Sequence, residues 1–169
     1  MVNMKELSQS VEDYLETIYV LSLHRKAVRV SEIARKLKVR IASVTGMLKN
    51  LADKGYVRHE RYGSVELTQK GEKIAKSVYR RHTILRIFLT EILLVEPERA
   101  EIDACRLEHY LSPETFEKFV KFIEFVQTCP VKEPVWLSGL HEYLKEGKRP
   151  DCIIKEDTKK SDKTFKIQD

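Results

Sequence analysis

Residues 30–71 read VSEIARKLKVRIASVTGMLKNLADKGYVRHERYGSVELTQKG. In the first ten, Ile33, Ala34 and Leu37 recur at helical spacing, and Ser31 is the predicted N-cap. Residues 40–55 repeat the pattern through Ile41, Val44, Leu48 and Leu51, and Gly55 is a natural stop. Two short helices separated by a few residues predict a helix-turn-helix. The next residues read as two strands, Tyr56–Arg61 and Ser64–Leu67, around a turn at Tyr62–Gly63. A hairpin directly after the second helix is a wing, so the stretch predicts a winged helix.

In such a motif the second helix enters the DNA major groove with its N-terminal residues. Here those are Arg40, Ala42, Ser43 and Thr45, followed by Gly46. Arg40 suits a guanine edge or a phosphate, Ser43 and Thr45 can donate, and Ala42 and the Thr45 methyl can pack on a thymine methyl. Gly46 stands where a long polar reader could be, so direct readout is expected to be sparse. Lys49, Arg58, Arg61, Lys70 and Lys73 suit phosphates, which position the protein without reading sequence. The charge agrees. Residues 31–86 hold 14 Lys/Arg against 5 Asp/Glu, whereas residues 87–169 hold 13 against 17. A positive segment beside an acidic one predicts a nucleic-acid-binding part and a second part with another task.

Around this core the chain reads as mainly α. Residues 8–23 place Val11, Tyr14, Leu15, Ile18 and Leu21 on one apolar arc, with Asp13 and Glu16 on the opposite, solvated side. Residues 68–95 predict a long helix, basic in its first half and apolar in its second. A further helix spans 96–112. Another, over 112–127, is capped by Ser112 with Pro113 at its first position. Its stripe of Phe116, Phe119, Val120, Ile123 and Val126 serves a core and, overlapping it, an oligomer interface. Residues 129–169 turn polar and predict a short, partly disordered extension. No apolar run approaches the roughly 18 residues of a membrane span or the length of a signal peptide, so the expected location is the cytoplasm. The three cysteines there are expected as thiols.

Cys105, Glu108 and His109 stand at i, i+3 and i+4, which on a helix turns thiol, carboxylate and imidazole toward one point. By itself such a triad is as often structural as metal-binding. Cys129, His141 and Cys152 lie at spacings unlike a zinc ribbon.

Residues 8–127 resemble the diphtheria toxin repressor family of metal-dependent regulators. The matching stretches are VEDYLETIYVL, VSEIARKLKVRIASVTGMLKNLADKGYV, VELTQKGEKIA, RRHTILRIFL and DACRLEHYLS. The resemblance implies a winged helix over residues 1–72, a helical metal-binding and dimerisation domain over 73–128, and the extension after it. Carried over position by position, it implies metal ligands at Asp13, Glu16, His82, Cys105, Glu108 and His109. The match is a hybrid. Asp13 and Glu16 resemble the manganese-sensing branch, and Cys105 the iron-sensing branch. Arg86 and Glu101 stand at two ligand positions of an ancillary site, which is therefore expected to be absent or altered. The SH3-like domain of many members does not fit the few polar residues after 127.

The expected function is a homodimeric repressor, activated by Fe²⁺ or Mn²⁺, that binds a palindromic double-stranded operator of metal-homeostasis genes. Co²⁺ and Zn²⁺ suit the same donors, and the thiolate favours Fe²⁺ over Mn²⁺. Without metal, the clustered carboxylates are expected to repel one another. The alternative is a winged-helix regulator of a non-metal ligand with the Cys/Glu/His cluster structural. An enzyme is not expected, because no base, cleft motif or phosphate loop accompanies the cluster.

Overall fold

The computed structural model describes residues 7–23, 28–59, 64–130 and 134–148. Its elements are α1 (Gln9–Ser22), α2 (Val30–Leu37), α3 (Ile41–Asp53), β1 (Val57–His59), β2 (Val65–Leu67), α4 (Gln69–Ile87), α5 (Pro97–Leu107), α6 (Pro113–Gln127) and α7 (Val135–Glu146). Met1–Lys132 form one compact unit, and Glu133–Asp169, which carries α7, form another.

The helix-turn-helix and its hairpin are present, with shifted edges. Arg29, not Ser31, precedes α2, and the Glu32 carboxylate accepts from the Arg29 N–H at 3.0 Å. Ser31 therefore lies inside the first turn, because a side chain three residues on satisfies the first free N–H. α2 ends at Leu37 and is closed by Lys38, in the left-handed region at φ 55°, and α3 stops before Gly55 at φ 72°. Arg40 is the residue before α3 rather than its first. The strands are three residues each, paired antiparallel with Val57 opposite Leu67 and His59 opposite Val65. Residues 60–63, with the predicted turn and Arg61, lie outside the described residues. Val65 also donates its N–H to the Val28 carbonyl at 2.8 Å, which adds a third short segment to the hairpin.

α4 joins the two halves of the first unit and crosses the expected domain boundary at residue 72. The Thr68 hydroxyl caps it, accepting from the Gly71 N–H at 3.1 Å. Gly71 passes so close to the hairpin that an added Cβ would run into the Tyr56 carbonyl, which leaves room for no other residue. Farther along, Ile74, Ala75 and Val78 pack into a core with Val11, Leu15, Ile18, Ile33, Val44, Leu48 and Leu51. Leu85, with Leu89 just past the end of α4, joins a second core with Ala100 and Ala104, against Phe88 and Phe119. Each Val, Leu or Ile side chain among these, fully buried, contributes about 1.5–3 kcal/mol. The predicted helix over 68–95 ends as a π-helical turn at Phe88–Ile92.

Two expectations change. Ile41, the first residue of α3, is 58% exposed rather than core. α5 ends at Leu107, short of the predicted 112, although Glu108 keeps helical dihedrals (φ −59°, ψ −26°) and donates its N–H to Ala104 at 3.0 Å. The spacing of Cys105, Glu108 and His109 on one face is thereby kept. α6 begins as predicted, with the Ser112 hydroxyl accepting from the Thr115 N–H.

Candidate metal centre and nucleic-acid face

His82 occupies a core-facing position of α4, four residues after Val78 and three before Leu85, between the two apolar clusters. Glu108, at the end of α5, is fully buried (0% exposed). Asp13 and Glu16 lie three apart on α1 and face these two rather than open solvent. The six predicted side chains thus come together in two groups. Asp13, Cys105, Glu108 and His109 form one, and Glu16, His82 and Glu108 the other. Within each group the nearest ligating atoms all lie within 4.8 Å of one another, and Glu108 belongs to both.

His82 Nδ1 is 3.1 Å from Glu108 Oε2, and its Nε2 is 3.2 Å from Glu101 Oε2. His109 Nε2 is 2.9 Å from Asp13 Oδ1 and 3.4 Å from Glu108 Oε1, while its Nδ1 is 2.8 Å from Glu12 Oε2. Both Glu12 oxygens also accept from Arg81 at 3.3 Å.

These contacts set the protonation. Burial opposes charge on His82, but hydrogen bonds to Glu108 and Glu101 and the charge of Glu16 outweigh it and lift the pKa to about 9. Burial likewise opposes charge on His109, and hydrogen bonds to Asp13, Cys105 and Glu12 lift it to about 11. Burial, then the charge of Glu108, raises Glu16 to about 7, and burial raises Glu108. The carboxylates do repel one another, as expected from the sequence, since the charges of Glu108 and Asp13 help to raise Glu16. Two imidazolium rings and the Arg81 guanidinium offset part of that repulsion.

The donor set fits a divalent transition metal: two imidazoles, a thiol and three carboxylates, the mixture that Fe²⁺, Mn²⁺, Co²⁺ and Zn²⁺ accept. Glu108 Oε1 is buried without a hydrogen bond, an acceptor that a cation would satisfy. A cleft of about 700 Å³, lined by Asp13, Glu16, His82, Arg86, Glu101 and Cys105 among others, opens the group to solvent.

Sequence reasoning missed Glu12 and Arg81. Glu12 is 5% exposed between Val11 and Asp13. A single charged residue on the flank of an apolar arc looks solvated until the partner helices are known.

On the other face, Ala42, Ser43, Thr45 and Lys49 of α3 are exposed, with Arg40 just before it and Arg58 on β1. The Thr45 hydroxyl donates to the Ile41 carbonyl at 3.1 Å, and the side chain is exposed. Lys70, exposed on α4, donates to the Lys54 carbonyl at 3.2 Å and lies over the Tyr56 ring, which ties the end of α3 to α4. Ile41, which periodicity had assigned to the core, is exposed at the tip of the same helix as Thr45.

The family model for "Iron dependent repressor, N-terminal DNA binding domain" matches residues 6–65. That for "Iron dependent repressor, metal binding and dimerisation domain" matches residues 68–137. The chain is 36% identical over 121 residues to the HTH-type transcriptional regulator MntR of Lysinibacillus sphaericus, covering 72% of this chain and 86% of that one. The chain belongs to the iron-dependent repressor family. Its likeness within that family extends to an uncharacterised HTH-type transcriptional regulator of Methanocaldococcus jannaschii, 40% identical over 119 residues, 70% of this chain and 95% of that one. Among solved iron-dependent repressor relatives, IdeR of T. acidophilum superposes with a TM-score of 0.61 at 26% identity, over 67% of this chain and 53% of that one. The manganese regulator SloR gives 0.61 at 32%, over 71% and 56%. The chain thus spans little more than half the length of those solved relatives. Among the described residues, no helix is long and apolar enough to cross a membrane.

Proposed function

We propose that the chain is a cytoplasmic, homodimeric transcriptional repressor whose operator binding is switched on by Fe²⁺ or Mn²⁺ held by Asp13, Glu16, His82, Cys105, Glu108 and His109. The observation that carries this reading is Glu108. A fully buried carboxylate shared by two donor groups, with one oxygen lacking a hydrogen bond, is costly unless a cation completes it. Glu108 would serve as a donor in either group.

A bound ion would supply the positive charge that the histidine protons supply without it, with a bond stronger than a hydrogen bond. Asp13 and Glu16 bring α1, which packs on the DNA-binding core, and Cys105 and Glu108 bring α5. His82 and His109 release their protons as they turn to coordination, so affinity should rise with pH. With α1 fixed to α4 and α5, the two recognition helices of a dimer are held at one spacing, which suits a palindromic operator. Activation then requires that the DNA-competent arrangement bind metal more tightly than the other. Cys105 makes Fe²⁺ the favoured ion. Residues 1–72 form the DNA-binding domain, 73–128 the metal-binding and dimerisation domain, and 129–169 an extension. Phe125, 64% exposed on α6, supports the dimer face.

Anaerobic titration of the metal-free protein with Fe²⁺ and Mn²⁺, followed by binding to its own promoter DNA, tests the reading. Operator affinity should rise with either ion and first with Fe²⁺. Tight, metal-independent binding would transfer the role to a non-metal ligand and leave the cluster structural.

A further inference from the structure

Glu12 and Glu101 stand outside both donor groups, yet each touches one histidine of those groups on the nitrogen that faces away from Glu108. His109 turns Nε2 toward Glu108 and Asp13 and gives Nδ1 to Glu12 at 2.8 Å. His82 does the reverse, turning Nδ1 toward Glu108 and giving Nε2 to Glu101 at 3.2 Å. A ligating histidine usually donates its far N–H to such a carboxylate, which fixes both the tautomer and the ring plane. We propose that Glu12 and Glu101 are positioning residues, each holding the far ring nitrogen of one histidine so that the two rings meet the ion in opposite tautomers. The proposal rests on the metal reading above and deepens it.

The two carboxylates are not equivalent. The Glu12 side chain is 6% exposed and receives Arg81 from α4 on both oxygens at 3.3 Å, so it cannot turn away. Through it, α4 is linked by Arg81 to α1 and onward to His109. The Glu101 side chain is 57% exposed on α5 and competes with water for His82. A positioning group held in a fixed, dry place restrains its histidine more than a hydrated one does. Neither carboxylate reads as a ligand, because the nitrogen each occupies points out of the group.

The test uses the full chain with ¹⁵N-labelled histidine and Zn²⁺ as the diamagnetic probe. In the Zn²⁺-loaded wild type, His109 should keep its proton on Nδ1 and His82 on Nε2. Glu12→Ala should lower Zn²⁺ affinity roughly 10- to 100-fold and release the His109 tautomer. Glu12→Gln should recover part of the loss, because its amide oxygen still accepts from Nδ1–H. Glu101→Ala should lower affinity less than Glu12→Ala and act on His82 alone. Wild-type affinity and unchanged tautomers in both alanine variants would overturn the proposal, as would a wild type in which both rings carry the proton on the same nitrogen. If Glu12→Ala fails to fold, exposed Glu101→Ala decides by the same two readouts. Failure of the wild type to bind Zn²⁺ saturably would instead remove the metal reading and the proposal with it.

Discussion

On the face of α3, Ser43, Thr45 and Lys49 are exposed and, with Arg40, come from ten consecutive residues. At the junction of α1, α4 and α5, the charged groups come from positions 12 to 109, and Glu12, His82 and Glu108 are buried. The first set meets its partner in water, so each member can be removed at little cost to the fold. In the second set each charge is the partner of another, so removing one strands its neighbours. The recognition face should therefore be separable, residue by residue, from stability, and the metal centre should not.

The largest effect should come from Glu108→Gln, which takes the shared donor from both groups. Calorimetric titration with Mn²⁺ should show affinity reduced by more than roughly 100-fold, the upper end of what losing an orienting partner alone costs. Wild-type affinity would mean that the buried group is no more coupled than the exposed one. A second consequence concerns the metal-free fold. The folded values of His82 (about 9) and His109 (about 11) lie above the ordinary 6.5. Their contribution is therefore complete below about pH 6.5 and lost as pH rises through the raised values. Glu16, raised to about 7, has the same sign: the protonated acid favours the fold, and its share is lost as pH rises through that value. Chemical denaturation should show metal-free protein losing stability as the histidines deprotonate between about pH 6.5 and about pH 11, with metal-loaded protein losing less.

The two regions also differed in how far they could be read from sequence. The helix-turn-helix is local: the spacing of Val44, Leu48 and Leu51 and the stop at Gly55 fix α3 without knowledge of any distant residue. Its errors are local as well, since Ile41 shares the apolar period but stands exposed at the first position of α3. Of the six predicted metal-site residues, spacing alone brought Cys105, Glu108 and His109 together, while Asp13, Glu16 and His82 became legible only through the family resemblance, because periodicity put Asp13 and Glu16 in solvent. Glu12 escaped both approaches. Its burial depends on Arg81 and His109, which lie 69 and 97 residues away.

Arg40→Ala probes the separable side. Arg40 is exposed at the tip of α3, so its loss should weaken operator binding by about 1–3 kcal/mol. Metal affinity and thermal stability should stay at wild-type values. A matching drop in metal affinity at fixed salt would show that the two regions communicate through the recognition helix itself. Cys105→Glu is a smaller change on the coupled side. A carboxylate replaces the thiolate at the same point and hardens the site, so the ratio of activation by Fe²⁺ to that by Mn²⁺ should move toward Mn²⁺ by about tenfold, roughly 1.4 kcal/mol. An unchanged ratio, together with no thiolate-to-Co²⁺ absorption in the wild type, would take Cys105 out of the ligand set.

The smallest effect tests the turn that joins α2 to α3. Lys38 sits at φ 55°, ψ 39°, with its N–H donated to Arg35 at 3.3 Å and the Val39 N–H donated to Ala34 at 3.0 Å. This double hydrogen bond closes the helix at a position that usually holds glycine. A side chain there costs about 1 kcal/mol, while glycine gives part of that back as entropy of the unfolded chain. Lys38→Gly should therefore raise stability by less than about 1 kcal/mol. The same substitution also asks where the DNA face ends, because Lys38 precedes Arg40 by two residues. If Lys38 meets no phosphate, operator affinity and its salt dependence should both hold. If the salt slope falls by about one, Lys38 is a phosphate contact. The strained backbone would then be the means of turning its charge toward DNA, and the separable face would begin at the turn rather than at α3.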